Sequence, residues 1–211
     1  MKNIILIFFI SLLSVACGLS TMPSKDPWYA QHFFIMQDFE REAYRSFSPA
    51  GKLAFQQLFW QVRPTEAKEE FDNRMAYIEQ NYKRENFEQP WNTDRARVFL
   101  LNGPPAHMEQ HINDSWTTMV RQGGGGVISA DERTGEDIGA ATLEVWAYNF
   151  KNQIVYYGFI FQAPNKWKQV SLSVGGYRYM GELELENKVK TYGAIDEEGY
   201  KRKIDELKAL K

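Results

Sequence analysis

Trp91-Asn92-Thr93-Asp94-Arg95-Ala96-Arg97-Val98-Phe99-Leu100-Leu101-Asn102-Gly103-Pro104-Pro105 divides the chain. Its polar head offers two short acceptors, Thr93 and Asp94, and two cations, Arg95 and Arg97. Arg97 to Leu101 is a short apolar run that reads as a strand. Asn102-Gly103-Pro104-Pro105 closes it as a turn, because two adjacent prolines and a glycine do not continue a sheet ladder. Before this stretch the pattern is helical. After it the pattern is aromatic, β-branched and punctuated by glycine.

Upstream, residues 28–89 read as helices. Phe33, Met36, Phe39 and Ala43 carry an apolar face among Asp38, Glu40, Arg41 and Glu42. Ser48-Pro49 is a helix start, with Ser as N-cap and Pro at the first helical position. Phe55, Leu58, Phe59 and Val62 follow helical spacing. Thr65 is the candidate cap of a further helix, in which Phe71, Met75, Ile78 and Tyr82 form one apolar stripe flanked by charge.

Downstream, residues 90–195 read as the sheet part. Glu144 to Phe150 and Ile154 to Gln162 form a hairpin around Lys151-Asn152-Gln153. Lys168 to Val174 is a further strand, stopped by Gly175-Gly176. The polar stretch 121–140, with four glycines at 123–126, reads as a mobile loop. Residues 197–210 form a C-terminal helix with Tyr200, Ile204 and Leu207 on one side. Helices first and strands after give an α+β fold, with N-terminal helices packed on a small, mostly antiparallel sheet.

The composition excludes several partners. Lys and Arg number 25 against 27 Asp and Glu, for a net charge of −2, so no basic excess exists to hold a phosphate backbone and nucleic acid is not expected. One Cys excludes an internal disulfide and a four-cysteine zinc site. That Cys ends the leader. Lys2 precedes an apolar run, Ile4 to Leu13, too short to span a bilayer, which takes ~20 residues. Leu13-Ser14-Val15-Ala16-Cys17-Gly18 resembles a bacterial lipobox, with Ser14 where Leu is commonest. The expectation is a signal peptide over 1–16, acylation of Cys17, a tether over 17–27 and one domain over 28–211. The bilayer is then a partner through the acyl chains of Cys17. Gly18 rather than Asp favours the outer membrane.

From Trp91 through Val98 and on to Gly103-Pro104-Pro105, the chain resembles the GWxTD-domain family of bacterial envelope proteins. Glu144-Val145-Trp146-Ala147-Tyr148, the aromatic strand around Tyr157 to Phe161, and Phe59-Trp60 with Arg63 extend the likeness over about residues 40–162. Pro90 stands where the family has Gly, exchanging a residue free to take positive φ for one fixed near −65°. The resemblance implies the helix-then-sheet fold and an envelope setting. It carries no established activity.

The chemistry-bearing residues are few. Thr93 and Asp94 read as caps of the junction, with Arg95 and Arg97 sharing one face of the expected strand, where they would flank a carboxylate or an anion. Trp91 reads as a plug between helices and sheet. Trp91, Thr93, Asp94, Arg95, Arg97, Gly103, Pro104 and Pro105 thus form a structural motif. His107 and His111, with Glu109 between them, lack a third metal ligand by spacing and read as surface histidines. Gly123 to Gly126 lacks the flanking residues of a phosphate loop. Asp131, Glu132, Glu136 and Asp137 do not follow a calcium-loop spacing. No nucleophile elbow, metal or cofactor is expected. The leading expectation is a non-enzymatic envelope module that binds another protein. The alternatives are a lipoprotein that binds glycan or a small ligand, and an unrecognised hydrolase.

Overall fold

The structure, a computed structural model, describes residues 26–112, 142–162, 164–172, 176–193 and 196–210. Among the described residues, seven helices and four strands follow in order: α1 (Pro27–His32), α2 (Asp38–Ser46), α3 (Pro49–Gln61), α4 (Ala67–Asn81), α5 (Asp94–Asn102), β1 (His107–Ile112), β2 (Thr142–Phe150), β3 (Gln153–Gln162), β4 (Lys166–Val170), α6 (Gly176–Tyr192) and α7 (Glu197–Leu207). This is the expected α+β arrangement. No helix among the described residues is long and apolar enough to cross a membrane.

Asp26 is the N-cap of α1. Its carboxylate caps α1 through the Tyr29 N–H at 3.2 Å and takes the Tyr44 hydroxyl at 3.0 Å and Lys52 at 3.3 Å. Ser48 caps α3 as the Ser-Pro pair foretold, accepting from the Gly51 N–H at 3.1 Å. Thr65 does not cap α4: that helix starts at Ala67, with Glu66 in the cap position and no side-chain cap bond. The stripe Phe71, Met75, Ile78 and Tyr82 is buried, as its spacing requires.

The strands run in the order β1-β2-β3-β4, all neighbours antiparallel. Lys151, at a φ of 54°, turns the β2–β3 hairpin. Strand alternation then sorts the two faces. Trp146, Tyr148 and Phe150 of β2 and Val155, Tyr157 and Phe159 of β3 join the main core with the helices. The outer face carries a smaller cluster, Leu143, Val145 and Val170, with Ile160 and Leu172 packed on it. Gly158 sits under that cluster, and a Cβ there would meet Leu172 Cδ2 at 2.7 Å, so only glycine lets Leu172 lie this close to the sheet.

Besides β1, a strand the sequence reading does not contain, three elements differ from it. Arg97 to Leu101 is not a strand but the body of α5, a buried helix. Gly176 does not end a strand; it opens α6, a 17-residue helix inside the expected sheet part. The fourth strand is Lys166–Val170 rather than 168–174. The stretch 121–140, the glycines at 123–126 and the acidic residues 131, 132, 136 and 137 lie outside the described residues, as do the leader, Cys17 and residues 17–25 of the tether.

Candidate functional site

The motif at 91–105 folds into the helix that fastens the two halves together. Thr93 is the N-cap of α5, its hydroxyl accepting from the Ala96 N–H at 3.2 Å. Asp94 occupies the first turn, where a carboxylate favours the positive end of the helix dipole. It also reaches across to the sheet and accepts the Gln169 N–H of β4 at 2.7 Å. Ala96, Val98 and Leu100 are fully buried.

Because the segment is helical, Arg95 and Arg97 diverge by about 200° instead of sharing a face. Arg95 turns to one side, giving Nε to Glu85 at 2.8 Å and Nη1 to both oxygens of Glu144 at 3.1 Å. Its guanidinium lies between the rings of Tyr82 and Trp167, 4.8 and 4.6 Å from their centroids. The Trp146 indole N–H donates to Glu144 at 2.7 Å, completing the box. Burial pushes the Glu85 carboxyl up, against the pull of Arg95. Arg97 turns to the other side and donates to Glu184 of α6 and to the Gln169 side chain. Glu184 also accepts from the Tyr157 hydroxyl at 3.2 Å. Each arginine therefore spends its charge on carboxylates within the fold, and neither presents an open anion site.

The end of α5 is equally committed. Arg74 of α4 donates to the Leu100 and Leu101 carbonyls at 2.8 and 3.0 Å, satisfying acceptors that the helix leaves open. Gly103 follows with a φ of 75°, its N–H donating to the Phe99 carbonyl and its own carbonyl accepting the Tyr148 hydroxyl at 2.9 Å. Pro104 is exposed, Pro105 is half-buried, and Ala106 then joins β2. At Pro90 the turn needs no positive φ; its carbonyl accepts the Thr93 hydroxyl at 3.4 Å. Trp91 is half-buried against the main core, with its indole N–H buried and without a hydrogen-bond partner among the described residues.

A second polar centre lies in the helical half, and the sequence reading caught only Arg63 of it. Arg63 and Glu40 pair at 2.6 Å with both side chains at 0% exposure. Glu40 also accepts the Tyr200 hydroxyl at 2.6 Å and the Gln37 N–H at 2.6 Å. Arg63 gives Nη1 to the Phe59 carbonyl at 2.6 Å and lies over the Phe59 ring. Beside it, His32 is stacked between Trp28 and Phe71, its Nδ1 bonded to the Trp28 carbonyl at 2.7 Å. Burial pushes its pKa down to about 4.

His107, Glu109 and His111 fall on a strand, so alternation places them on one face. Glu109 bridges the two imidazoles, at 2.5 Å to His107 and 3.1 Å to His111. The His107 bond leads in holding the Glu109 carboxyl below the usual range. Among the described residues, no group of three His, Cys, Asp or Glu side chains is arranged to hold a metal. No family model, no curated protein and no solved structure matches this chain.

Proposed function

We propose that the protein is a lipid-anchored bacterial envelope lipoprotein of the GWxTD-domain type, acting as a non-enzymatic module that holds another envelope protein. The observation that carries this reading is the commitment of the motif's charges. Asp94, Arg95 and Arg97 bind Gln169, the Glu85–Glu144 pair and Glu184. Such a motif builds a scaffold rather than a reaction centre. The outer face of the sheet is the surface that the scaffold offers. There Ile154 and Tyr156 are 52% and 43% exposed beside the Leu143–Val145–Val170 cluster, and exposed apolar groups of this kind mark contact sites.

Two measurements test the reading. Mass spectrometry of the native N-terminal peptide should find Cys17 acylated; an unmodified Cys17, or cleavage elsewhere, refutes the anchor. Photo-crosslinking residues placed at 154 and 156 in intact envelopes should each yield the same discrete protein adduct. The same residue at position 202, exposed on α7, should yield none. Adducts of equal yield from all three positions, or none from any, refute the docking face.

A further inference from the structure

Lys188 is a half-buried lysine with no ion-pair partner among the described residues. It stands on α6 and donates to the Met36 carbonyl. Arg41 donates to that same carbonyl through Nε and Nη2, at 3.3 and 3.1 Å. A carbonyl answers one of the three N–H groups of the ammonium but neutralises no charge. The other charged groups that line the groove or act on Lys188 are paired. Arg41 has Asp38 at 3.2 Å, Glu40 has Arg63, and Glu197 at the start of α7 has Lys201 at 2.8 Å. Lys188 forms no ion pair among the described residues.

Lys188 lines a groove of about 720 Å³ between α2 and α6, within the ~300–1,000 Å³ usual for small-molecule sites. Ile35, Phe39 and Tyr192 lie in its walls, Ile35 and Tyr192 buried behind the surface. Leu185 and Val189, one helical turn apart on either side of Lys188, are 64% and 58% exposed along it. A cation without a partner, set within an apolar strip, matches one kind of molecule. We propose that this groove binds a single carboxylate carried on an apolar chain, with Lys188 as the counter-ion and Leu185 and Val189 along the chain.

The rim selects a monoanion. Asp38 and Glu197 both line the groove; they repel any anion, but a phosphate dianion about twice as strongly as a carboxylate, so the single charge that Lys188 can match is the one tolerated. The site works only while Lys188 is protonated. Burial first, then the neighbouring Arg41 charge, pushes its pKa down to about 8, with Arg63 adding to this and Glu40 and Asp38 opposing it. Glu197 faces the same groove from α7. A bound carboxylate favours the ammonium, so binding takes up a proton above that value and weakens as pH rises.

Calorimetry on the full chain carrying Cys17→Ser, so that no acyl group of its own competes, tests the assignment. The probes are dodecanoate, dodecyl phosphate and dodecanol, below micelle formation. Dodecanoate should bind saturably and tightest, and its affinity should fall between pH 7 and 9. Lys188→Met keeps the stem and should weaken it at least about tenfold, the size of one lost charge-assisted bond. Lys188→Arg should retain binding, which guards against a folding artefact. Equal affinity for dodecanol, unchanged binding by Lys188→Met, or no saturable binding overturns the proposal. Tighter binding of dodecyl phosphate overturns the choice of head group.

Discussion

Replacing Arg63 by Met leaves the Glu40 carboxylate buried with a hydroxyl and a backbone N–H but no positive charge. The wild-type carboxylate has four short contacts: Arg63 Nη2 at 2.6 and 2.8 Å, Tyr200 at 2.6 Å and Gln37 N at 2.6 Å. Breaking a buried pair from one side costs ~3–5 kcal/mol, because the remaining charge stays out of water. A domain of this size loses ~2–4 °C per kcal/mol, so the melting temperature should fall by about 6–20 °C. The double variant Glu40→Leu/Arg63→Met removes both charges and should recover most of that loss, since apolar replacement of a whole buried pair is often near neutral. Tyr200→Phe removes one bond to a charged acceptor and should cost ~1.5–3 kcal/mol. Urea unfolding followed by tryptophan fluorescence and far-UV circular dichroism gives all three values. An Arg63→Met cost below about 1 kcal/mol, or a double variant as unstable as the sum of its parts, refutes the account of this pair.

Further outcomes follow from other contacts. His32, with its pKa pushed down to about 4 from 6.5 by burial, is neutral in the folded state while the unfolded chain takes up a proton near 6.5. Its contribution is intact above that pH and drains away between 6.5 and 4, by up to about 3 kcal/mol; stability–pH curves of wild type and His32→Phe should diverge over that range. Gly103→Ala forces a side chain to a φ of 75° and brings its Cβ to 3.0 Å from Arg74 Nη2, which should cost about 2 kcal/mol in urea titrations. Trp91→Phe removes a buried donor without a partner and should be neutral or stabilising, whereas Trp91→Ala should destabilise clearly; thermal melts separate the two. Asp94→Asn keeps an acceptor for the Gln169 N–H and should cost ~0.3–1 kcal/mol, while Asp94→Leu leaves that N–H unanswered at ~1–3 kcal/mol, both read by denaturant titration.

The amphipathic helices were legible because each has one wet face. The Ser48-Pro49 start and the Phe71–Met75–Ile78–Tyr82 stripe need nothing beyond their own spacing. α5 was misread for a physical reason. It is buried on nearly every side, so its apolar run from Val98 to Leu101 shows no helical period and looks like a buried strand. The signals that settle it are terminal: Thr93 as N-cap and Gly103 just past the end, bracketing nine residues. α6 was missed because Tyr177, Tyr179, Leu185 and Val189 lie exposed among buried Met180 and Leu183, which blurs the stripe. The partners of the motif arginines were beyond reach. Glu144 and Glu184 stand 49 and 87 positions away from Arg95 and Arg97, and only the helical twist of α5 decides which carboxylate each arginine meets.

Both ends of the described body are tied to the first turns of one helix. Asp26 holds Lys52, and the Ser48 hydroxyl donates to the Leu210 carbonyl at 2.8 Å. A pull on the polypeptide at residue 26 is therefore taken up first by α1 and the start of α3. Neither of these two contacts touches the sheet, so its outer face takes no direct load from either end of the described body. A label or fusion joined after residue 210 emerges beside the start of α3, on the side where Asp26 also lies, whereas one inserted at the Lys151 turn emerges from the sheet.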